Sequence, residues 1–124
     1  MTPPLPLSAV IITKNEVDRL GRCLASVQGL CSEILVLDCG SDDGTVALAR
    51  SQGARVEHQD WLGFAEQKNE AIRRAAQPWL LLLDADEWLA DGSADQLRAL
   101  FAHGGVEQAD VWRLKRCNWF LGRM

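Results

Sequence analysis

The stretch Trp79-Leu80-Leu81-Leu82-Leu83-Asp84-Ala85-Asp86-Glu87 decides the fold. An unbroken apolar run shows no alternation, so both faces of this segment avoid water. Such a strand belongs to a parallel sheet covered by helices on each side. Pro78 ends whatever helix precedes it. Carboxylates at Asp84 and Asp86 then mark where the buried strand reaches solvent.

The same grammar recurs on either side. Leu7 to Thr13 is β-branched and apolar and reads as a strand, followed by the polar turn Lys14-Asn15-Glu16. Val17, Leu20, Leu24 and Val27 recur at helical spacing, with Asn15 placed to cap that helix and Gly29 to close it. Ile34 to Leu37 is a second buried strand ending in Asp38, and Cys39 to Gly44 is a loop. Thr45 to Gln52 predicts a short helix stopped by Gly53, Ala54 to His58 a weaker strand, and Phe64 to Ala76 a third helix. Ser93 with Gln96 forms a capping-box signal ahead of a fourth helix carrying Leu97, Leu100 and Phe101. Asp110 to Arg116 alternates apolar and basic residues, as a half-exposed strand does. Strands alternating with helices predict an α/β domain spanning 1–124, with a mostly parallel sheet and helices on both faces.

Composition agrees and narrows the function classes. Hydrophobic residues make up 48% of the 124, enough for a core, and charged residues 24% with net charge −4. No basic excess points to nucleic acid. Cys23, Cys31, Cys39 and Cys117 have no metal-finger spacing and read as free thiols of a reducing compartment. Met1 to Pro6 lacks the basic start of a signal peptide, and no apolar run approaches the ~20 residues needed to span a bilayer. The sequence stops at Leu121-Gly122-Arg123-Met124 straight after a strand-like segment, which reads as the N-terminal portion of something longer.

In an open α/β sheet ligands bind beyond the carboxyl ends of the strands, so the strand exits hold the candidate residues. Asp84 and Asp86 lie two apart, and in an extended chain such residues face one side. Paired carboxylates suit Mg²⁺ or Mn²⁺, whose shell is completed by water and substrate phosphates. Asp38 is placed to accept a hydrogen bond from a ribose or base, with Gly40 and Gly44 permitting close approach. Asp42 or Asp43 reads as a cap of the next helix. Lys68 and Asn69 offer an ammonium and an amide, although on these residues alone a charged helix face, with Glu66 and Glu70 pairing to Arg73 and Arg74, is the favoured reading. His58 and His103 carry no catalytic pattern. Trp79 reads as core, while Trp88 and Trp119 suit either core packing or stacking on a sugar or lipid.

Taken in order, these segments resemble family 2 glycosyltransferases. The resemblance rests on Val10 to Glu16, Val36 to Thr45, Gln67-Lys68-Asn69, and Leu82 to Glu87 with its D-x-D. Trp61-Leu62-Gly63-Phe64 and the segment Arg116 to Gly122 further resemble bacterial lipopolysaccharide-core β-glycosyltransferases. The resemblance implies a GT-A fold and inverting transfer of a sugar from a nucleoside-diphosphate donor, a UDP-sugar foremost, to a glycan or lipopolysaccharide-core acceptor. It implies that Thr13, Asn15, Glu16 and Asp38 hold the nucleotide, with Lys68 and Asn69 beside it. Asp84 and Asp86 would hold Mg²⁺ or Mn²⁺. It further implies a cytoplasmic location with peripheral contact at the inner face of the membrane, and a general base downstream of this chain. Cys39 departs from the pattern, standing where many members carry a second acid. A donor-binding fragment without turnover is one alternative; a nucleotidyltransferase of related fold is another, but it wants a Gly-rich phosphate loop after the first strand. A receiver-like signalling domain wants an acid pair there, where this chain has Thr13 and Lys14.

Overall fold

The computed structural model describes residues 3–104, 111–113 and 120–123. The chain runs β1 (Leu5–Thr13), α1 (Val17–Val27), β2 (Cys31–Asp38), α2 (Thr45–Ser51), β3 (Arg55–His58), α3 (Phe64–Arg74), β4 (Trp79–Asp84), α4 (Ser93–Ala102), β5 (Val111–Arg113) and β6 (Phe120–Arg123). The strands form one sheet in the order β3-β2-β1-β4-β6-β5. β1 to β4 are mutually parallel where they pair, while β6 runs antiparallel to both β4 and β5. The mostly parallel α/β architecture expected from the sequence is therefore the one present. β6 is a strand beyond those expected from the sequence. Of the strand expected over Asp110 to Arg116, only Val111–Arg113 lies among the described residues. Arg116, Cys117 and Trp119 lie outside them.

The period-two alternation of β1 separates two cores. Leu7, Ala9 and Ile11 face α1, α2 and α4, packing with Leu20, Leu24, Val27, Ala49 and Leu97. Val10 faces the other way with Leu35, Leu37 and Leu80, covered by Ala71 and Ala75 at the end of α3. Leu81 and Leu83 of β4 join the first core, and Leu80 joins the second. Each fully buried leucine removes enough apolar surface to contribute roughly 2 kcal/mol, so the apolar run of β4 ties both layers together. Trp79 is core as expected, with its ring edge-on to Phe101 at 5.9 Å.

Local signals misled in two places. Ser93 begins α4 rather than capping it. Gly92 stands at the cap in the left-handed region with φ 86°, and no side-chain cap bond forms. Asn15 does not cap α1, whose N-cap position is Glu16. Asn15 instead adopts φ 54°, a left-handed conformation that asparagine tolerates better than most residues.

Among the parallel strands, chain order and sheet order diverge at one point. β2 and β3 extend the sheet from one side of β1, and β4 then returns to its other side. The crevice outside the carboxyl ends of β1 and β4 is therefore the topological switch point, where open α/β sheets bind ligands.

Candidate functional site

A cleft of about 580 Å³ opens at that switch point. Ile12, Thr13, Lys14 and Glu16 from the end of β1, and Cys39 beyond β2, form one wall. Asp84, Ala85 and Asp86 form the wall at β4, and Trp61, Phe64 and Lys68 close it from the α3 side.

The β1 wall is held by hydrogen bonds to the neighbouring loop. Asp38 is buried, and its four acceptor positions are all used. Oδ1 accepts the Thr13 hydroxyl at 2.6 Å and the Ser41 hydroxyl at 2.5 Å, while Oδ2 accepts the Gly40 and Ser41 N–H groups at 2.9 and 2.8 Å. Burial pushes this carboxyl's pKa up, but the hydrogen bonds from Ser41, Thr13 and Gly40 outweigh it and hold the pKa below the ordinary value. Asp38 thus shapes the loop and does not face the cleft. Asn15 behaves likewise: its N–H donates to Ser41 Oγ at 2.7 Å, and its Oδ1 accepts the Asp42 N–H at 2.8 Å. The open N–H groups at the start of α1 are met from across the gap, Glu16 N–H by Thr45 Oγ1 at 2.9 Å and Val17 N–H by Asp43 Oδ2 at 3.3 Å. Of the two acids considered as caps of α2, Asp43 takes the Thr45 N–H on Oδ1. Hydrogen bonds from the Thr45 hydroxyl and then from backbone N–H groups hold the Asp43 carboxyl below its ordinary pKa.

The β4 wall is a turn, which corrects the extended geometry expected for Asp84 and Asp86. The Glu87 N–H donates to the Asp84 carbonyl at 2.9 Å, and the Asp84 N–H donates back to Glu87 Oε1 at 2.9 Å. The chain therefore folds over at Ala85-Asp86. Both carboxylates still line one cleft, brought there by the turn. Beneath them the Cys23 thiol of α1 approaches the Asp84 carbonyl oxygen at 3.7 Å. Burial pushes that thiol up to about 12, and the nearby charges of Glu87, Asp84 and Asp86 add to the rise. Arg22 covers the ring of Trp88 at 3.6 Å, so the exposed Trp88 is held against α1 rather than left free in the cleft.

Two ammonium groups offset this acidic edge. Lys68 Nζ lies 3.4 Å from Asp84 Oδ1, an exposed pair, and Lys14 Nζ donates to the Gly40 carbonyl at 2.7 Å. Asp86 makes no hydrogen bond or ion pair with any described residue. Glu16 Oε2 lies 2.8 Å from Arg19 Nη2 as an ion pair, without the angle for a hydrogen bond. Asn69 is exposed on α3 and is not part of the cleft wall. The sequence reading of the charged face holds in part, since Glu70 pairs with both Arg73 and Arg74.

Among the described residues no group of three or more His, Cys, Asp or Glu side chains forms a metal cage. The donor set present is two carboxylates on one turn, one of them without a partner among the described residues. That set fits a hard divalent cation of the kind held by one or two carboxylates and completed by water and ligand phosphates. The candidate residues read from the sequence do not include Ile12, Lys14, Cys39, Trp61, Phe64 and Ala85 as wall, or Ser41 and Thr45 as loop fasteners. Hydroxyls flanking acids in a turn were the available signal for the last two.

Residues 8–118 match the family described as Glycosyl transferase family 2. A lipopolysaccharide core biosynthesis glycosyltransferase, LpsC of Rhizobium meliloti (strain 1021), is 39% identical over 98% of this chain and 46% of its own length. The chain therefore spans under half of that relative. S. aureus TarS 1-349 in complex with UDP-GlcNAc superposes with a TM-score of 0.70 at 20% identity, covering 86% of this chain and 33% of that one. The mannosyltransferase PcManGT from Pyrobaculum calidifontis, in complex with GDP-Man and Mn²⁺, gives a TM-score of 0.62 at 22% identity, covering 80% and 33%. The two structural likenesses show a shared fold, the GT-A arrangement expected from the sequence.

Proposed function

Since the chain belongs to glycosyl transferase family 2, we propose that its cleft binds the donor of a glycosyl transfer, a nucleoside-diphosphate sugar and a UDP-sugar foremost. The acceptor in this reading is a glycan or lipopolysaccharide core, as the name of the Rhizobium relative suggests. The single observation that carries the proposal is the convergence of Lys14, Lys68, Asp84 and Asp86 on one cleft at the switch point. A diphosphate needs counter-charge there, and acids alone would repel it.

Asp86, with Asp84 beside it, would hold Mg²⁺ or Mn²⁺, in keeping with the Mn²⁺ named in the mannosyltransferase complex. When bound, the ion supplies Lewis-acid counter-charge to the departing diphosphate. Lys68 is placed to exchange its Asp84 partner for a phosphate oxygen, and Lys14 to follow from the opposite wall. Thr13 and Glu16 line the nucleoside side of the cleft. Asp38 and Asn15 act indirectly, holding the loop that forms that wall. Transfer with inversion has the acceptor hydroxyl attack the anomeric carbon while the bond to the diphosphate oxygen breaks. No described residue is assigned as the general base in this reading. Cytoplasmic location, with peripheral contact at the inner membrane face, is part of the same reading, and cell fractionation checks it.

Thermal unfolding tests the donor assignment. A ligand at a hundredfold excess over its Kd stabilises by about 2.7 kcal/mol, which raises the Tm of a domain this size by several degrees. UDP with Mn²⁺ is expected to give that rise, and UDP with a chelator is not. A folded sample whose Tm ignores UDP in both conditions overturns the proposal.

A further inference from the structure

The large apolar side chains exposed among the described residues are Trp61, Leu62, Phe64 and Trp88. Trp88 is already covered by Arg22. Trp61 and Phe64 are 50% and 74% exposed, yet they are not loose. Their rings meet edge to face at 4.8 Å and 89°. The loop that carries them is fastened by Gln67, a fully buried amide. Its Nε2 donates to the Gln59 carbonyl at 3.0 Å, and its Oε1 accepts the Leu62 N–H at 3.2 Å. A buried polar side chain spent on fixing an exposed aromatic pair has a use when that pair meets a ligand.

Placement identifies which part of the ligand. Phe64 and Lys68 are four residues apart on α3 and so share one face, separated by one helical turn of about 5.4 Å. Lys68 reaches Asp84, so the cleft holds a row: aromatic pair, ammonium, acidic turn. The loop bearing Trp61 leaves β3, which lies beyond β2 and away from β4. A diphosphate seated at Lys68 and the acidic turn therefore directs one of its substituents toward the rings, on the side of the β1 and β2 tips. The wall there is Thr13, Lys14 and Cys39. A lipid surface is the poorer occupant, because the rings share the cleft with the charged groups of Lys14, Lys68, Asp84 and Asp86 rather than lying on a continuous apolar face.

Resting on the donor-binding reading, we infer that Trp61 and Phe64 form the stacking platform for the donor's nucleobase. Any base offers a π face to such a pair, so the platform supplies affinity and leaves base identity to the polar wall opposite.

Calorimetric titration of the whole chain with Mn²⁺ tests this, using UDP, UDP-glucose and inorganic pyrophosphate as probes. Trp61→Ala and Phe64→Ala are each expected to weaken UDP by about 5- to 150-fold, the range for losing one base–aromatic stack. Pyrophosphate affinity stays unchanged in both variants, and Trp61→Phe keeps most of the UDP affinity. Both side chains are exposed, so unchanged circular dichroism and melting are expected alongside. Equal losses for pyrophosphate and UDP overturn the inference. So does an unaltered UDP affinity, or a loss seen with UDP-glucose alone, which would put the sugar on the rings. Failure of the unaltered chain to bind UDP with Mn²⁺ overturns the donor reading and this inference together. Tight UDP binding that ignores both variants overturns only the platform.

Discussion

Asp38 and Asp86 show how two aspartates at strand exits come to opposite uses. Asp38 has every acceptor position filled from within the fold, so its charge serves structure. Asp38→Asn replaces one acceptor oxygen by a donor and sets it against the Gly40 and Ser41 N–H groups or the two hydroxyls. A destabilisation of about 1–3 kcal/mol is expected by urea unfolding at neutral pH. The sign of its pH dependence follows from the lowered folded pKa. The stabilisation is complete above the unfolded aspartate value of about 3.9 and is lost as pH falls below it toward the folded value. Urea midpoints measured from pH 6 down to 3 should fall more steeply for the parent chain than for Asp38→Asn. Asp86, without a partner among the described residues, is open to a ligand. Asp86→Asn is expected to leave stability within about 0.5 kcal/mol while lowering Mn²⁺-dependent UDP affinity by about tenfold or more. A variant that binds as the parent does would remove Asp86 from the site.

At the scale of elements, the segments that gather the site are fastened by side chains reaching from one loop into the next. The start of α1 is satisfied by Thr45 and Asp43, and the loop before α3 by Gln67. Gln67→Leu preserves volume but leaves the Leu62 N–H and Gln59 carbonyl without their partner. A loss of about 1–3 kcal/mol is expected in chemical unfolding. Weaker UDP binding should accompany it, as the loop bearing Trp61 loosens. Elements themselves were legible: the apolar runs of β1, β2 and β4 and the periodicity of α1 placed them to within a few residues. The caps were not. Asn15 and Ser93 have side chains that suit a cap, but glycine or a neighbouring loop took the position. A cap competes with every donor and acceptor nearby in space, and local sequence does not show those.

At the scale of the molecule, layering divides the cysteines. Cys23 and Cys31 are buried between sheet and helices, and burial is the main cause that pushes both thiols up to about 12. Cys39 is partly exposed and lines the cleft. Maleimide labelling followed by peptide mass spectrometry should find Cys39 modified in the native protein, slowed by UDP with Mn²⁺, and Cys23 and Cys31 modified only on unfolding. Fast native labelling of Cys23 would contradict the packing of α1 beneath the β4 turn. Sequence alone determined the class of this molecule, because apolar runs buried on both faces admit little other than a covered parallel sheet. It also determined which strand exits carry carboxylates and lysines. It did not determine that β4 returns beside β1, that Asp84 and Asp86 meet through a turn, or that Asp38 faces inward while Lys14 faces the cleft. Those depend on contacts between residues far apart in the chain, such as Thr13 with Asp38 and Ile12 with Asp84. Such contacts are chosen by the packing of whole layers, since hydrogen bonds and charges are settled by what lies near in space.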